Sequence, residues 1–482
     1  MSRARRLAGL AGAGLALAGC AVGPRYAKPA TPSAGAGAFI SASPQASSQP
    51  PPPAGWWRLY DDPVLDRLVP EALSENQDLK VAAANLAYAQ ALAGEARAGL
   101  LPSTDLSAGA TYGRSTAANA AAASGVARNS WTYSAGFNAA YQVDLFGRLR
   151  RTIEAANANA EQVRAAEDAV RVTIAAQTAG AYANLCGYAE QADVARQSQD
   201  VAQQTYDLIV REREIGSASD FDVARAATTL EQAKAVAPTL EGERRAALFE
   251  LAALLGKTPA EAPADAAACR VPPKIDRPLP VGDGTAMLRR RPDVREAERL
   301  LAADVARVGV AAADLYPTVT LGGSVSTAAG KVSALGAPSS VSWSLGPLIT
   351  WSFPNVTVAE AHVREARATA SGALASFNAT VLTALKETEQ TLTGYAAELD
   401  HHRALAGAVD KAQTAFDLAQ VQYKVGSTSL LDLLTAETTL IDARQALAAS
   451  DQALSNDQVA VFQALGGGWE DAPPVSAPKI PG

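Results

Sequence analysis

The feature that most constrains this chain is a helical pattern that runs without a proline from residue 356 to residue 465. Apolar side chains return to one side of this stretch at helical spacing. They include Phe377, Val381, Leu385, Leu392, Leu399, Val409, Phe416 and Tyr423. At about 1.5 Å per residue, an arm of about 70 residues is roughly 100 Å long. The stretch therefore predicts two very long helices that no compact domain could contain.

A short turn separates the two helices. Gly426 can end the first helix and residues 427–429 can begin the second. On the return arm, apolar residues recur at every seventh position, at Leu433, Leu440, Leu447, Leu454 and Val461. A strict seven-residue repeat predicts left-handed supercoiling against a neighbouring helix.

The same pattern occurs earlier in the chain. Gly216 matches Gly426, and Gly256 matches Gly466, at one shared offset of about 210 residues. We therefore predict a first repeat at 56–256, a proline-rich linker at 257–284, a second repeat at 285–468 and a tail at 469–482. Long helical hairpins are expected at about 147–255 and 356–465. A single helix opens each repeat, from about residue 64 to 99 and from about residue 285.

After Pro102 and Pro317 the hydrophobic period changes from helical to two. The clearest runs alternate apolar or aromatic residues with small polar ones, at Trp131, Tyr133, Phe137, Tyr141 and Val143, and at Val341, Trp343, Leu345, Ile349 and Trp351. Weaker runs at 105–112 and 318–327 complete β-hairpins at about 103–145 and 318–353. Strands of about ten residues with aromatic ends are typical of outer-membrane barrels, and a soluble sheet does not need them. Four strands cannot close a barrel, so the pattern predicts an oligomer.

The N-terminus predicts export. Three arginines precede a short apolar run at residues 7–17, which is typical of a signal peptide at 1–19. The sequence Leu17-Ala18-Gly19-Cys20 resembles a bacterial lipoprotein box, in which Cys20 takes the lipid. The alternative is an ordinary signal peptide with an incidental cysteine. Residues 20–55 are rich in Ala, Ser and Pro and are predicted to form a lipidated tether.

Two further cysteines, Cys186 and Cys269, would lie in an oxidising compartment. We hypothesise a disulfide between them. The alternative is two small buried apolar side chains.

Composition and motifs argue against several functions. The net charge of −7 offers no basic patch for nucleic acid. The three histidines lie within one helical stretch without acidic or cysteine residues at ligand spacing, which favours no metal site. No nucleophile or phosphate-loop motif occurs, so neither an enzyme nor a cofactor other than the covalent lipid is expected.

Several motifs in order resemble one family. The opening Trp56-Trp57-Arg58-Leu59-Tyr60, the run Cys20-Ala21-Val22-Gly23-Pro24 and both turn motifs resemble the TolC-type outer-membrane efflux proteins, in their lipoprotein branch, which is NodT- and OprM-like. The resemblance extends to about Gly468. It implies a mainly helical fold with a transmembrane β-barrel, in which a homotrimer shares twelve strands and continues as a periplasmic α-barrel.

The resemblance also implies the function. Such proteins are passive outer-membrane channels of tripartite efflux systems of the RND type, which export small molecules such as drugs or metal ions. Their partners are a periplasmic adaptor and an inner-membrane pump, and the lipid would anchor the chain in the outer membrane. The alternative function is a lipid-anchored periplasmic coiled-coil adaptor, which would not need the two strand pairs.

Candidate site residues follow from the same resemblance. Leu431, Asp432 and Thr435 match the family's pore constriction, although many members have a second Asp where this chain has Thr435. Asp220 and Asp222 are candidates for the missing charge, with helix capping as the alternative. The turns at Gly216, Ser217, Gly426 and Ser427 match the surface where the adaptor docks, and simple capping is again the alternative.

Overall fold

The structure is a computed structural model that describes residues 21–30, 35, 37–41, 46–47, 51–114 and 129–479. The predicted signal peptide and Cys20 lie outside the described residues. The chain divides into two compact units. The first comprises Met1–Lys28, Ala87–Val163 and Ala297–Phe377, and the second comprises Pro29–Leu86, Arg164–Glu296 and Asn378–Gly482.

The main elements occur in the same order in each half of the chain. The first half contains α1 (Pro63–Glu75), α2 (Gln77–Ala98), β1 (Ser103–Arg114), β2 (Asn129–Val143), α3 (Arg148–Glu214) and α4 (Asp220–Leu254). The second half contains α5 (Gly284–Arg290), α6 (Pro292–Ala313), β3 (Thr318–Ala329), β4 (Val341–Thr350), α7 (Thr357–Lys424) and α8 (Leu430–Ala464). The long helices α3 and α7 have 67 and 68 residues, and α4 and α8 have 35 each. The internal repeat and the long helical hairpins are therefore confirmed.

The opening helix of each repeat is broken in two, where the sequence predicted one helix. Asn76 ends α1, and its Oδ1 accepts the N–H of Asp78 at 2.9 Å, which starts α2. In the second repeat Arg291 precedes Pro292, and a residue before proline is disfavoured in helical conformation. Both residues at the breaks also donate to the last turn of a closing helix. Asn76 Nδ2 reaches the carbonyl of Leu254 at 3.0 Å, and an Arg291 N–H reaches that of Ala464 at 2.9 Å.

The first unit contains a four-stranded antiparallel sheet in the order β1-β2-β3-β4. The two hairpins β1–β2 and β3–β4 are joined where β2 pairs with β3, from Tyr133 opposite Ala329 to Val143 opposite Val319. Four strands per chain are thus confirmed. Within the described residues, β1 and β4 each have a neighbour on one side only.

The second unit packs its helices through the predicted seven-residue seam. Leu433, Leu440, Leu454 and Val461 of α8 are buried, and Leu447 is half-buried. By length and composition α7 is the one described helix apolar enough to cross a membrane. Its 68 residues are more than three times the roughly 20 that a bilayer requires, which fits a long packed helix better than a simple span.

Part of the segment predicted as a tether, residues 21–28, is bound to the first unit. The N–H of Val22 donates to the carbonyl of Phe146 at 3.1 Å, just beyond the end of β2. Arg151 Nε donates to the carbonyl of Val22 at 3.4 Å. The Tyr26 hydroxyl donates to Glu298 at 2.6 Å. These contacts hold the segment against α3 and α6.

Glycines make room for this segment. A Cβ on Gly147 would lie 2.8 Å from the Cα of Ala21, and a Cβ on Gly23 would lie 2.6 Å from the Cα of Gly309. Gly23 also has a φ of 90°, which side-chain-bearing residues rarely adopt. The close approach therefore requires glycine at these positions.

We predict that Gly23→Ala detaches this segment. The new methyl group would meet backbone atoms of Gly309, so residues 21–28 should leave their site and trypsin should cleave after Arg25 several-fold faster. Gly336→Ala is the matched control, because Gly336 has a φ of 89° but open space around its Cα. Intact-mass analysis during limited digestion measures the cleavage. Equal cleavage rates in both variants would contradict the account.

Candidate functional site at the helix turns

Both long helices end in the same capping arrangement. Gly216 and Gly426 have φ values of 80° and 74°, in the left-handed region that favours glycine. The N–H of Ser217 donates to the carbonyl of Glu212 at 2.8 Å, and that of Ser427 donates to the carbonyl of Gln422 at 2.9 Å. These bonds, spanning five residues, are typical of the Schellman motif. A Cβ on either glycine would meet nothing within 4 Å, so both turns are open on their outer side.

The return helices begin with matching capping boxes. In α8 the Asp432 N–H donates to Ser429 Oγ at 3.2 Å, and the Asp432 carboxylate accepts the Ser429 N–H at 3.2 Å. In α4, Ser219 and Asp222 make the same pair of bonds at 3.2 and 3.0 Å. The capping alternative raised for Asp222 is therefore present in the structure, and Asp432 makes the same cap although the sequence analysis did not raise capping for it.

Capping also fixes the charge of these two acids. The hydrogen bonds from the Ser429 side chain and backbone lower the pKa of Asp432 below its ordinary value. Those from the Ser219 backbone and side chain lower the pKa of Asp222. Both carboxylates are therefore ionised at neutral pH, each at a helix N-terminus that favours negative charge.

The other predicted pore residues differ in their ion pairs, hydrogen bonds and exposure. Asp220 pairs with Arg213 across the first turn at 2.8 Å. The Thr435 hydroxyl donates to the carbonyl of Leu431 at 2.7 Å, and the Leu431 side chain is 52% exposed. Among the described residues Asp432 has no ion pair, so the second turn has one uncompensated carboxylate.

Sequence reasoning missed a contact between the two hairpins. The Tyr423 hydroxyl, in the last turn of α7, donates to Glu212, in the last turn of α3, at 2.6 Å. In the sequence, Tyr423 marks only an apolar position of the helical pattern. The repeat offered a weak signal, because Tyr423 lies three residues before Gly426 whereas Arg213 lies at that place in the first repeat.

The linker between the repeats is fastened to two helices of the second unit. The structure joins Cys186 of α3 to Cys269 of the linker in a disulfide, with Cα atoms 5.1 Å apart. Gln458 of α8 accepts the N–H of Ile275 and donates to its carbonyl, both at 3.0 Å. Ser455 donates to the carbonyl of Pro273 at 2.6 Å. The linker thus bridges α3 and α8.

We predict that Cys186 and Cys269 resist alkylation unless the protein is first reduced. Denatured protein treated with iodoacetamide should gain mass at neither residue, and prior reduction should add two alkyl groups. Intact-mass and peptide-level mass spectrometry measure both. A Cys269→Ser variant is the control, since it should leave Cys186 open to alkylation without reductant. Alkylation of both thiols in unreduced protein would contradict the disulfide.

Two of the three histidines lie beside acids in the described part of the chain, and one of these acids, Glu398, lies one helical turn before its histidine, which the sequence analysis did not expect. His401 lies 3.2 Å from Glu398, and His402 lies 3.0 Å from Asp451. No group of three or more metal-ligating side chains with suitable placement occurs among the described residues.

Comparison with known proteins gives a consistent result. A family model described as outer membrane efflux protein matches residues 68–257 and 285–467, one segment in each repeat. Nodulation protein T of Rhizobium leguminosarum bv. viciae is 29% identical over 466 residues, which cover 96% of this chain and 94% of that protein. The pyoverdine export outer membrane protein OpmQ of Pseudomonas aeruginosa is 31% identical over 431 residues, covering 86% and 87%. The solved outer-membrane channel OprN is similar with a TM-score of 0.87 and 34% identity, covering 93% of this chain and all of that one.

Proposed function

The chain belongs to the outer membrane efflux protein family, and on that premise we propose that it forms the outer-membrane channel of a tripartite efflux system. In this role three copies share one barrel and one periplasmic helical tube. A periplasmic adaptor and an inner-membrane pump of the RND class supply small molecules, such as drugs or metal ions, and the channel conducts them passively to the exterior. It performs no chemistry and requires no cofactor beyond a covalent lipid.

The observation that supports this proposal is the open sheet of the first unit. Strands β1 and β4 have no second neighbour among the described residues, and both are exposed along their length. Unpaired backbone groups are not tolerated in lipid, because each costs several kcal/mol. Three chains that pair β1 of one copy with β4 of the next would close a barrel of twelve strands and leave no edge. A coiled-coil adaptor, the alternative function, has no use for this sheet.

The proposed anchor is a lipid on Cys20. That residue lies outside the described residues, but Ala21, which follows it, lies against Gly147 a few residues beyond the end of β2. A lipid attached there would enter the membrane next to the base of the strands. Acyl chains contribute about 0.8 kcal/mol per buried methylene, so a multiply acylated Cys20 would add to the attachment that the barrel provides.

We propose that the second turn forms the closed end of the channel. Three copies of Asp432 would form a ring of ionised carboxylates, which attracts cations and repels anions. Leu431 would narrow the opening beside it, and Thr435 would leave this ring single. Asp222 and Asp220 of the first turn would add charge nearby, the latter reduced by Arg213. The open glycine turns, with Ser217 and Ser427, would face the adaptor.

The partners would drive opening. A complex that binds the open state more tightly than the closed state shifts the population toward the open one. The Tyr423 to Glu212 bond would be broken or stretched as the two hairpins separate at their ends. The channel itself therefore needs no energy source.

We predict that Asp432→Asn lowers the preference of the channel for cations over anions. The amide keeps an oxygen for the Ser429 cap but removes three negative charges from the trimer, so the fold should persist. Reversal potentials in planar bilayers under a salt gradient measure the change. Asp442→Asn is the control, since Asp442 is an exposed acid farther along α8. An unchanged reversal potential in Asp432→Asn would show that this residue does not set the ion selectivity of the constriction.

A further inference from the structure

The two faces of the sheet in the first unit differ in their chemistry. Residues paired opposite each other on neighbouring strands form rows across the sheet, and successive rows point to opposite faces. One row consists of Leu106, Phe137, Val325 and Trp343. These four side chains are between 47% and 80% exposed in the single chain. The row therefore belongs to the apolar face that lipid would cover.

The next row points to the opposite face and is polar throughout. It consists of Asp105, Asn138, Ser324 and Ser344, one residue from each of the strands β1–β4. The hydroxyl oxygens of Ser324 and Ser344 lie 2.8 Å apart, within hydrogen-bonding distance. The following row on this face repeats the contact between Ser326 and Ser342, at 2.9 Å. In a closed barrel this polar face would line the interior.

Asp105 differs from the other side chains of this polar face because it is charged. The strands β1–β4 contain two charged residues, Asp105 and Arg114. An odd number of positions separates them on β1, so they point to opposite faces, and the strand between them is about 30 Å long. Asp105 is exposed and has no ion pair among the described residues. An exposed aspartate carries a negative charge at neutral pH.

We propose that Asp105 is a selectivity-determining residue of the barrel interior, which favours the passage of cationic over anionic small molecules. The inference rests on the proposed function, because it requires three copies that share one barrel. Each copy would contribute one Asp105 near the start of β1, the strand that follows α2 in the chain. The three carboxylates would form a ring at the end of the barrel next to the helices. No other charged residue of the strands points to this face, so the strands offer nothing to offset the ring.

This ring is separate from the one proposed at Asp432. Asp432 lies in the first turn of α8 and belongs to the second unit, whereas Asp105 belongs to the first unit. A ring of carboxylates along an aqueous passage raises the local concentration of cations and lowers that of anions. The current through a whole channel is limited by its narrowest part. The effect of Asp105 therefore has to be measured beside Asp105.

A reporter thiol beside Asp105 measures this local potential. Ser107→Cys places a thiol on the same face of β1, two positions from Asp105, and the native Cys186 and Cys269 are joined in a disulfide. The reporter is labelled in isolated outer membranes with a cationic and an anionic methanethiosulfonate of similar size, and protein without the reporter gives the background. After correction for the rates with a small free thiol, the cationic reagent should react several-fold faster at low ionic strength. Added salt should reduce this ratio, because ions screen the potential.

Variants in the reporter protein assign the effect to the charge of Asp105. Asp105→Asn should bring the corrected ratio of the two rates close to one, and Asp105→Glu should keep it high. Arg114→Gln is the matched control, because it changes one charge on the opposite face and far along the strand, and it should leave the ratio unchanged. A separate reporter, Ala108→Cys, lies on the lipid face and should react slowly with both reagents.

Three results would overturn the inference. They are the same ratio with Asp105 and with Asp105→Asn, a ratio that does not respond to salt, and faster labelling of Ala108→Cys than of Ser107→Cys. Light scattering of the reporter protein in detergent distinguishes these results from failure of the proposed function. A monomer would overturn the proposed channel and the inference with it. A trimer that gives any of the three results would overturn the inference alone.

Discussion

In lipid, every backbone N–H and C=O group needs a hydrogen-bond partner. This requirement determines how the sheet of the first unit can be completed. A sheet of four strands leaves two edges, and only closure or pairing removes them. The aromatic residues of β2 and β4, such as Trp131 and Trp343, are exposed and belong to the apolar faces that lipid would cover. The chain can therefore satisfy its strands only together with other copies, and the requirement for an oligomer follows from the count of strands.

In the second unit, the long helices must end without a globular core around their ends. Each hairpin turn combines a left-handed glycine with a capping box, so the free backbone groups at the helix ends are paired locally. The backbone groups of the turns consequently need no partners from other parts of the chain, and the turns remain open at Gly216 and Gly426. The same local chemistry that builds the turn leaves the Asp432 carboxylate ionised there. Asp432 thus caps α8 and also supplies the charge of the proposed constriction.

Much of this architecture was predictable because it is encoded locally. The glycine turns, the seven-residue seam and the alternation at Trp131 to Val143 each have a short sequence signal, and the repeat reinforces them. Three features were not predictable in this way: the break at Asn76, the binding of residues 21–28 to the first unit, and the Tyr423 to Glu212 bond. The last two depend on partners more than 100 positions away, and the break at Asn76 combines a local cap on Asp78 with a bond to distant Leu254, so neither propensity nor periodicity marks them. Asn76 meets Leu254, Val22 meets Phe146, and Tyr423 meets Glu212.

The most direct test of the shared barrel is the mass of the Cys20→Ser protein purified in detergent, measured by light scattering with the detergent contribution subtracted. This variant lacks the proposed lipid, so a lipid anchor cannot account for its attachment to a membrane. The account predicts that the variant leaves outer membranes only when detergent is added. It also predicts a particle of about three chains, because four strands per copy cannot close a barrel. A monomer that is soluble without detergent would contradict the shared barrel and favour the adaptor.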